Sequence, residues 1–284
     1  MPQKRPAYEQ YDIIIDSHAH IFDVPEPSWN YPPFTAEKMI EFMDGPYTVA
    51  GETRKVGLAL CQPTPGVTIL PDWDIPKQHE YVVEAVRKHP DRLVGCMMIN
   101  PHYGLENAFR ELERLVTEEG FRCIKLHPAF HRYWPNKQKD LTYPILEQAR
   151  RFNIPVLVHT GEPPYSMPSL LGPVAEDFPD VPIMLAHFGI QMIGYSHEAI
   201  EVARKHDNVF LGTDWAHLNR LKEGITTLGA SKLVFGSDSP YTEIGVGLRT
   251  LEVLCWDGPL GVKMSEADRE DIFGHNLARL MGLK

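Results

Sequence analysis

The sequence predicts a (β/α)8 TIM barrel, allowing some distortion, and three observations carry that prediction. Short apolar runs recur eight times along the 284 residues. Most are followed by a polar loop and then by apolar positions at helical spacing. The runs also lack the polar alternation of half-exposed strands, which marks parallel strands buried on both faces. Eight such units fit one domain spanning residues 1–284, since barrels of this kind take about 250 residues. A doubly wound open sheet has the same periodicity. Neither G-x-G-x-x-G nor G-x-x-x-x-G-K-[ST] is present to favour its nucleotide-binding forms.

In chain order the strand candidates are Ile13–Asp16, Val56–Cys61, Leu93–Ile99, Arg122–His127, Val156–His159, Ile183–His187, Val209–Gly212 and Leu233–Ser237. The helices expected between them are Pro76–Lys88, Gly104–Glu118, Leu141–Arg151, Ser196–Lys205 and Leu218–Leu228. Glu243–Cys255 follows the last strand, and Ser265–Met281 closes the chain with Ser265 and Asp268 in capping positions. Segments rich in Pro, Gly and aromatics at Pro25–Phe34, Pro63–Pro76, Phe130–Asn136 and Gly161–Leu170 read as extended loops. They follow strands one, two, four and five, where a barrel builds the walls of its active site.

Composition removes several classes of function. With 43% apolar and 23% charged residues the chain is no disordered segment. A formal net charge of −10 argues against a nucleic-acid partner read through phosphates. No apolar run approaches the roughly 18 residues that cross a bilayer, so no membrane partner is expected. Met1–Gln10 lacks a secretory pattern, which makes the cytoplasm the default expectation. Cys61, Cys96, Cys123 and Cys255 form no C-x-x-C, and the first three lie in strand-like runs. They read as buried reduced thiols rather than a disulfide framework.

What ends the strands is chemically specific. Strand one ends in His18 and His20, strand four in Lys125 and His127, and strand five in His159. Strand six ends in His187, strand seven reaches Asp214, and strand eight ends in Asp238. A barrel opens all of these ends on one face. Two imidazoles two residues apart on a strand share a face and can grip one ion. Several histidines with a carboxylate suit zinc or another divalent transition metal. Any single histidine here has a purely structural reading, and Asp214 reads best as the N-cap of the next helix.

The ordered set His18-x-His20, His159, His187 and Asp238, in the segments IDSHAH, PVLVHTGEPP, IMLAHFG and LVFGSDSP, resembles the amidohydrolase superfamily. GFRCIKLHP and the Gly274-His275-Asn276-Leu277 turn extend the likeness over nearly the whole chain. It is closest to the branch that includes aminocarboxymuconate-semialdehyde decarboxylase-like enzymes. The resemblance implies that His18, His20 and His159 bind metal and that Asp238 binds metal or the attacking water. It implies that His187 acts as a base or polarising group. One divalent ion is expected, zinc ahead of manganese. A second ion bridged by a carbamylated Lys125 is the less favoured arrangement, because this branch is generally mononuclear.

Two chemistries share such a centre. In hydrolysis a metal lowers the pKa of its water, Asp238 takes the proton, and His187 polarises the carbonyl of an ester, lactone or amide. In nonoxidative decarboxylation of an unsaturated or aromatic acid, the ring or chain carbon is protonated and a cation such as Lys125 or Arg132 receives the carboxylate. The chain is short for the decarboxylase type, so hydrolysis of a small organic acid derivative is the first expectation. His127, Arg132, Trp29, Tyr165 and Tyr241, with Lys125, are the expected substrate contacts, alongside Phe22, Tyr31, His131, Tyr133 and Trp134 as further mouth aromatics. Trp29 and Trp134 could equally face a second subunit, so a homodimer or higher oligomer is an open expectation. A binding scaffold with a degenerate site and a closed structural zinc site are the non-enzymatic readings.

Overall fold

A computed structural model describes residues 13–26, 30–49, 51–69, 74–190 and 193–283. Trp29, Met1–Gln10 and parts of the first two expected loops lie outside these residues. Eight strands form one sheet in sequence order: β1 (Ile14–His20), β2 (Val56–Gln62), β3 (Leu93–Met98), β4 (Cys123–Leu126), β5 (Val156–His159), β6 (Ile183–Ala186), β7 (Val209–Gly212) and β8 (Leu233–Val234). Every neighbouring pair is parallel. The barrel is nearly closed. No ladder joins β8 to β1, yet Ser17 N donates to Phe235 O at 2.9 Å and Asp238 N to His18 O at 2.7 Å. A parallel bridge, Ala19 to Ser239, completes the seam. The (β/α)8 expectation is met, with its distortion at this seam.

Two apolar layers explain why the strands read as continuous runs. Ile15, Leu58, Val94, Cys123, Leu157, Met184 and Val234 fill the barrel interior. Their sequence neighbours Ile14, Ile124, Val156, Ile183 and Leu233 face the helices instead. Period-two alternation therefore separates two buried faces, and each buried Leu or Ile contributes about 1.5–3 kcal/mol. Leu277, Ala278 and Met281 plug one end of the interior.

The helices fall close to their expected places: Ile75–Lys88, Leu105–Thr117, Lys139–Phe152, Ile193–Lys205, Leu218–Leu228 and Ile244–Leu254. Short elements escaped the periodicity. These are the helices Ala36–Asp44, Pro128–His131 and Gly172–Asp177 and the hairpin Tyr47–Val49 with Glu52–Arg54. The expected terminal helix starts as foreseen, with Ser265 Oγ accepting from Asp268 N at 3.1 Å. It is then interrupted by a π turn at Asp271–His275. Gly274 sits in that turn, where a Cβ would lie 2.4 Å from Ile13 O, so only glycine permits the approach to β1. All four cysteines are free, three of them buried. No helix of the described residues is long and apolar enough to cross a membrane.

The hairpin is tied to the C-terminal segment by a buried pair. Arg54 donates to both Glu270 carboxylate oxygens, at 2.6 and 2.7 Å, and Arg269 Nε adds a third bond at 2.9 Å. Burial alone would raise the Glu270 pKa, but the two guanidiniums outweigh it and hold it below the ordinary value. This stabilisation is present above the normal glutamate range and is lost as pH falls through the lowered pKa. Glu270→Gln is expected to cost about 3 kcal/mol at pH 7, since it removes the buried carboxylate charge that Arg54 and Arg269 both face. The gap between wild type and variant should narrow below pH ~4. Urea unfolding at several pH values checks this, and a gap independent of pH would refute it.

Candidate metal centre

The strand order brings the distant polar residues to one end of the barrel. At the end of β1 the register to β2 shifts between Asp16 and Ala19. Buried Asp16 accepts from Ser237 N at 2.8 Å, Ser237 Oγ at 2.5 Å and His18 N at 3.1 Å. Burial raises its pKa to about 7 against the pull of these bonds. Asp16 thus straps β1 to the segment that carries Asp238, which is why His18 and Asp238 meet.

The ring protons can be placed from the partners. His18 Nδ1 lies 3.1 Å from Asp214 Oδ2, and a carboxylate only accepts, so Nδ1 carries the proton. His20 Nδ1 donates likewise to Pro63 O at 2.8 Å. Both Nε2 atoms are left with lone pairs. Each lies 3.3 Å from Asp238 Oδ1. Lys125 Nζ donates to His18 Nε2 at 2.8 Å. Burial lowers the Lys125 pKa despite Asp238 and Asp214 nearby. Burial, then Lys125, lowers the His18 pKa to about 4.

Asp238 is held in place from the other side. Trp215 Nε1 donates to Asp238 Oδ2 at 2.6 Å. Burial would raise the Asp238 pKa, but His18, His20 and His187 hold it well below the carboxylate range. Asp214 follows the same pattern through His187 and His18. Its Oδ2 accepts from His187 N at 2.9 Å and lies 2.6 Å from His187 Nδ1. Gly212 and Gly236 make room for it, because a Cβ at either would come within 2.9 Å of Asp214 Oδ1. His187, Trp215 and Asp238 all have positive φ, at 66°, 58° and 60°. Such strain costs about 1–3 kcal/mol per residue and collects at functional sites.

His159 stands one ring further out. Its Nδ1 is 2.8 Å from His187 Nε2, and its Nε2 faces Glu162 Oε2 at 3.3 Å. His127 stacks on it, ring centroids 3.7 Å apart and 16° from parallel. Phe130 N donates to His127 Nδ1 at 3.1 Å, leaving Nε2 to carry the His127 proton. Burial, and then neighbouring charge, holds both imidazoles well below the ordinary histidine pKa.

Above these groups lies a cavity of about 180 Å³ walled by Pro65, Phe130, Ile190, Trp215 and Tyr241. His18, His20, Lys125, His127, His159, His187 and Asp238 line it, so the expected centre does converge. Two expected substrate contacts stand elsewhere. Arg132 is exposed and borders a separate surface depression with His102 and Tyr103, because the helix Pro128–His131 carries it away and it caps that helix at φ 57°. Tyr165 packs on Trp134, ring centroids 4.7 Å apart, and is absent from the cavity wall. The N-cap expectation for Asp214 is also corrected: His217 caps the helix Leu218–Leu228, accepting from Asn219 N at 3.3 Å. Trp215 and Glu162 are site residues that the sequence does not single out, and Asp214 is one that the sequence assigns to a cap. For Asp214 the signal was there, since it lies just beyond the end of β7, where the other strands also deliver their site residues.

His18, His187, Asp214 and Asp238 each present a ligand atom, all within 4.8 Å of one another. Asp238 Oδ1 is buried with no hydrogen-bond partner. It faces two imidazole lone pairs, a juxtaposition that a cation satisfies. The residues therefore fit a single divalent ion.

Residues 15–283 match the family described as Amidohydrolase. The chain belongs to the amidohydrolase family. No curated protein matches it. Solved structures of similar fold include the dihydroxybenzoic acid decarboxylase of Polaromonas sp. JS666, with bound manganese and 2-nitroresorcinol. It is 18% identical with a TM-score of 0.72, over 96% of this chain and 98% of that one. The 5-carboxyvanillate decarboxylase of Novosphingobium aromaticivorans DSM 12444, with manganese and 4-hydroxy-3-methoxy-5-nitrobenzoic acid, is 15% identical at TM-score 0.69, covering 99% of both chains. The 5-carboxyvanillate decarboxylase of Sphingomonas paucimobilis is 15% identical at TM-score 0.68, over 96% of this chain and 100% of that one. These full-length likenesses correct the first expectation, ester, lactone or amide hydrolysis. They also remove its premise, that the chain is short for the decarboxylase type, since decarboxylases of this fold are covered almost end to end.

Proposed function

We propose that this protein is a metal-dependent, nonoxidative decarboxylase of a small hydroxylated aromatic acid. The observation that carries the reading is the unpartnered Asp238 Oδ1 between His18 Nε2 and His20 Nε2 on the floor of a small aromatic-walled cavity. Manganese in two of the relatives supports a divalent ion of that kind, with zinc the other candidate for such a donor set. His18, His20, His159 and Asp238 would hold it. Asp214 is better read as the group that orients His18 and His187, since its Oδ2 already faces three nitrogens. A divalent ion supplies positive charge that draws the oxygens of an acid and eases ionisation of an adjacent hydroxyl.

The chain's own groups account for the remaining steps. Phe130, Trp215 and Tyr241 offer flat surfaces to a ring. Lys125 and His127 line the same space and can donate to a carboxylate, and His187 borders it through the ring edge that meets His159. Asp238 Oδ1 is placed to take the proton of a ring hydroxyl and return it to the carbon bearing the carboxylate. That carbon's bond to the carboxylate then breaks, its electron pair restores the ring, and CO2 leaves. The ring oxygen, left as a phenolate, then takes a proton from solvent, so the sum consumes one proton and involves no redox change.

Manganese-loaded protein supplied with 2,6-dihydroxybenzoate and 5-carboxyvanillate should release CO2, and in D2O the vacated carbon should acquire deuterium. Chelation should stop the reaction and re-addition restore it, with one ion per chain by metal analysis. Failure to decarboxylate any of a panel of hydroxybenzoates with the ion bound would refute the reading, and two ions per chain would refute the mononuclear site.

A further inference from the structure

Asp214 and Trp215 are adjacent in sequence, and together they divide the two carboxylates of the centre between different partners. After β7 the chain turns, with Ala216 N donating to Thr213 O at 3.3 Å, and Trp215 takes φ 58°. That conformation is costly for a bulky side chain and persists only where its surroundings enforce it. It brings the indole Nε1–H to Asp238 Oδ2 at 2.6 Å, while the ring stands edge-on to His187, centroids 6.5 Å apart. Asp238 Oδ2 also lies 3.9 Å from His187 Nδ1. That nitrogen sits instead 2.6 Å from Asp214 Oδ2.

We propose that Trp215 is a positioning residue that keeps Asp238 away from His187. Its N–H occupies Oδ2, so Oδ1 stays turned toward His18 and His20 and His187 Nδ1 is left to Asp214. Without the indole N–H, Asp238 Oδ2 becomes a buried anionic atom lacking its donor, and a short rotation toward His187 Nδ1 supplies one. The rotation withdraws Oδ1 from the two lone pairs it faces. The ring of Trp215 is thus cavity wall, and its N–H sets which carboxylate is a ligand.

This inference rests on the metal reading above but not on the reaction, because it is read as ion binding by metal-stripped protein. Calorimetric titration of the full chain with Mn2+ compares wild type with Trp215→Phe, which keeps the ring and removes the donor. Affinity is expected to fall about 10–100-fold, the usual cost of losing a group that orients a ligand. In a His187→Asn background the same substitution should cost less than about threefold, since the competing imidazole is gone. Unchanged affinity in Trp215→Phe, or an equal loss in both backgrounds, overturns the proposal. Should Trp215→Phe not fold, Trp215→His, which keeps a ring N–H, takes its place. Affinity within about threefold of wild type then supports the role and a loss of about tenfold or more overturns it. Wild-type protein that takes up no Mn2+ or Zn2+ refutes the metal reading itself.

Discussion

Asp238→Asn should lower kcat for decarboxylation about 10²–10⁴-fold, measured at saturating metal, with the fold intact by circular dichroism. The side chain is nearly isosteric and keeps an oxygen for the Trp215 N–H, so the seam that Asp16 and Ser237 hold together is undisturbed. What disappears is the charge beside His18 and His20 and the only atom of the three able to carry a proton to a ring carbon and remain a stable neutral acid. Metal affinity should fall as well, because a carboxylate ligand is exchanged for a neutral amide. Near-normal kcat in the metal-loaded variant would remove Asp238 from the chemistry.

The second large effect is expected at His187. Asparagine is the substitution of choice, because it tolerates the positive φ of 66° found there. His187→Asn should depress kcat about 10²–10⁴-fold, while the protein retains one ion per chain. The reasoning is geometric. His187 is anchored through Asp214, which it meets by both its backbone N–H and Nδ1, and lies beside rather than between His18 and His20. Loss of the ion together with activity would make His187 a ligand, in the grouping it forms with His18, Asp214 and Asp238. Metal analysis of the purified variant distinguishes the two roles.

The fate of individual residues shows where sequence reading has purchase. His18 and His20 were legible because two residues apart on a strand means one face, whatever the rest of the chain does. Asp238 was legible because the ends of parallel barrel strands share one side. Arg132 was misplaced for a local reason that is visible afterwards. His127-Pro128 starts a helix, proline being suited to its first turn, and four helical residues lead the chain away from the cavity. Tyr165 belongs to a loop whose ring partner, Trp134, comes from a different loop, and no periodicity reports such a pair. Asp214 was visible as a strand-end residue, but capping chemistry was the better reading of it in the sequence, whereas the cap is His217.

By itself the sequence determined the eight buried strands, their parallel character and the polar groups at the ends of six of them, because burial and periodicity are properties of contiguous residues. It also determined the type of centre, since imidazoles and a carboxylate on one face leave few alternatives to a metal. Tertiary structure alone decided how that set is divided. Asp214 reaches His18 across the barrel from β7, Trp215 reaches Asp238 through a left-handed turn, and His159 lies against His187 and Glu162. Those choices depend on closure of the seam and on strained backbone at three strand ends, where long-range packing overrules local preference.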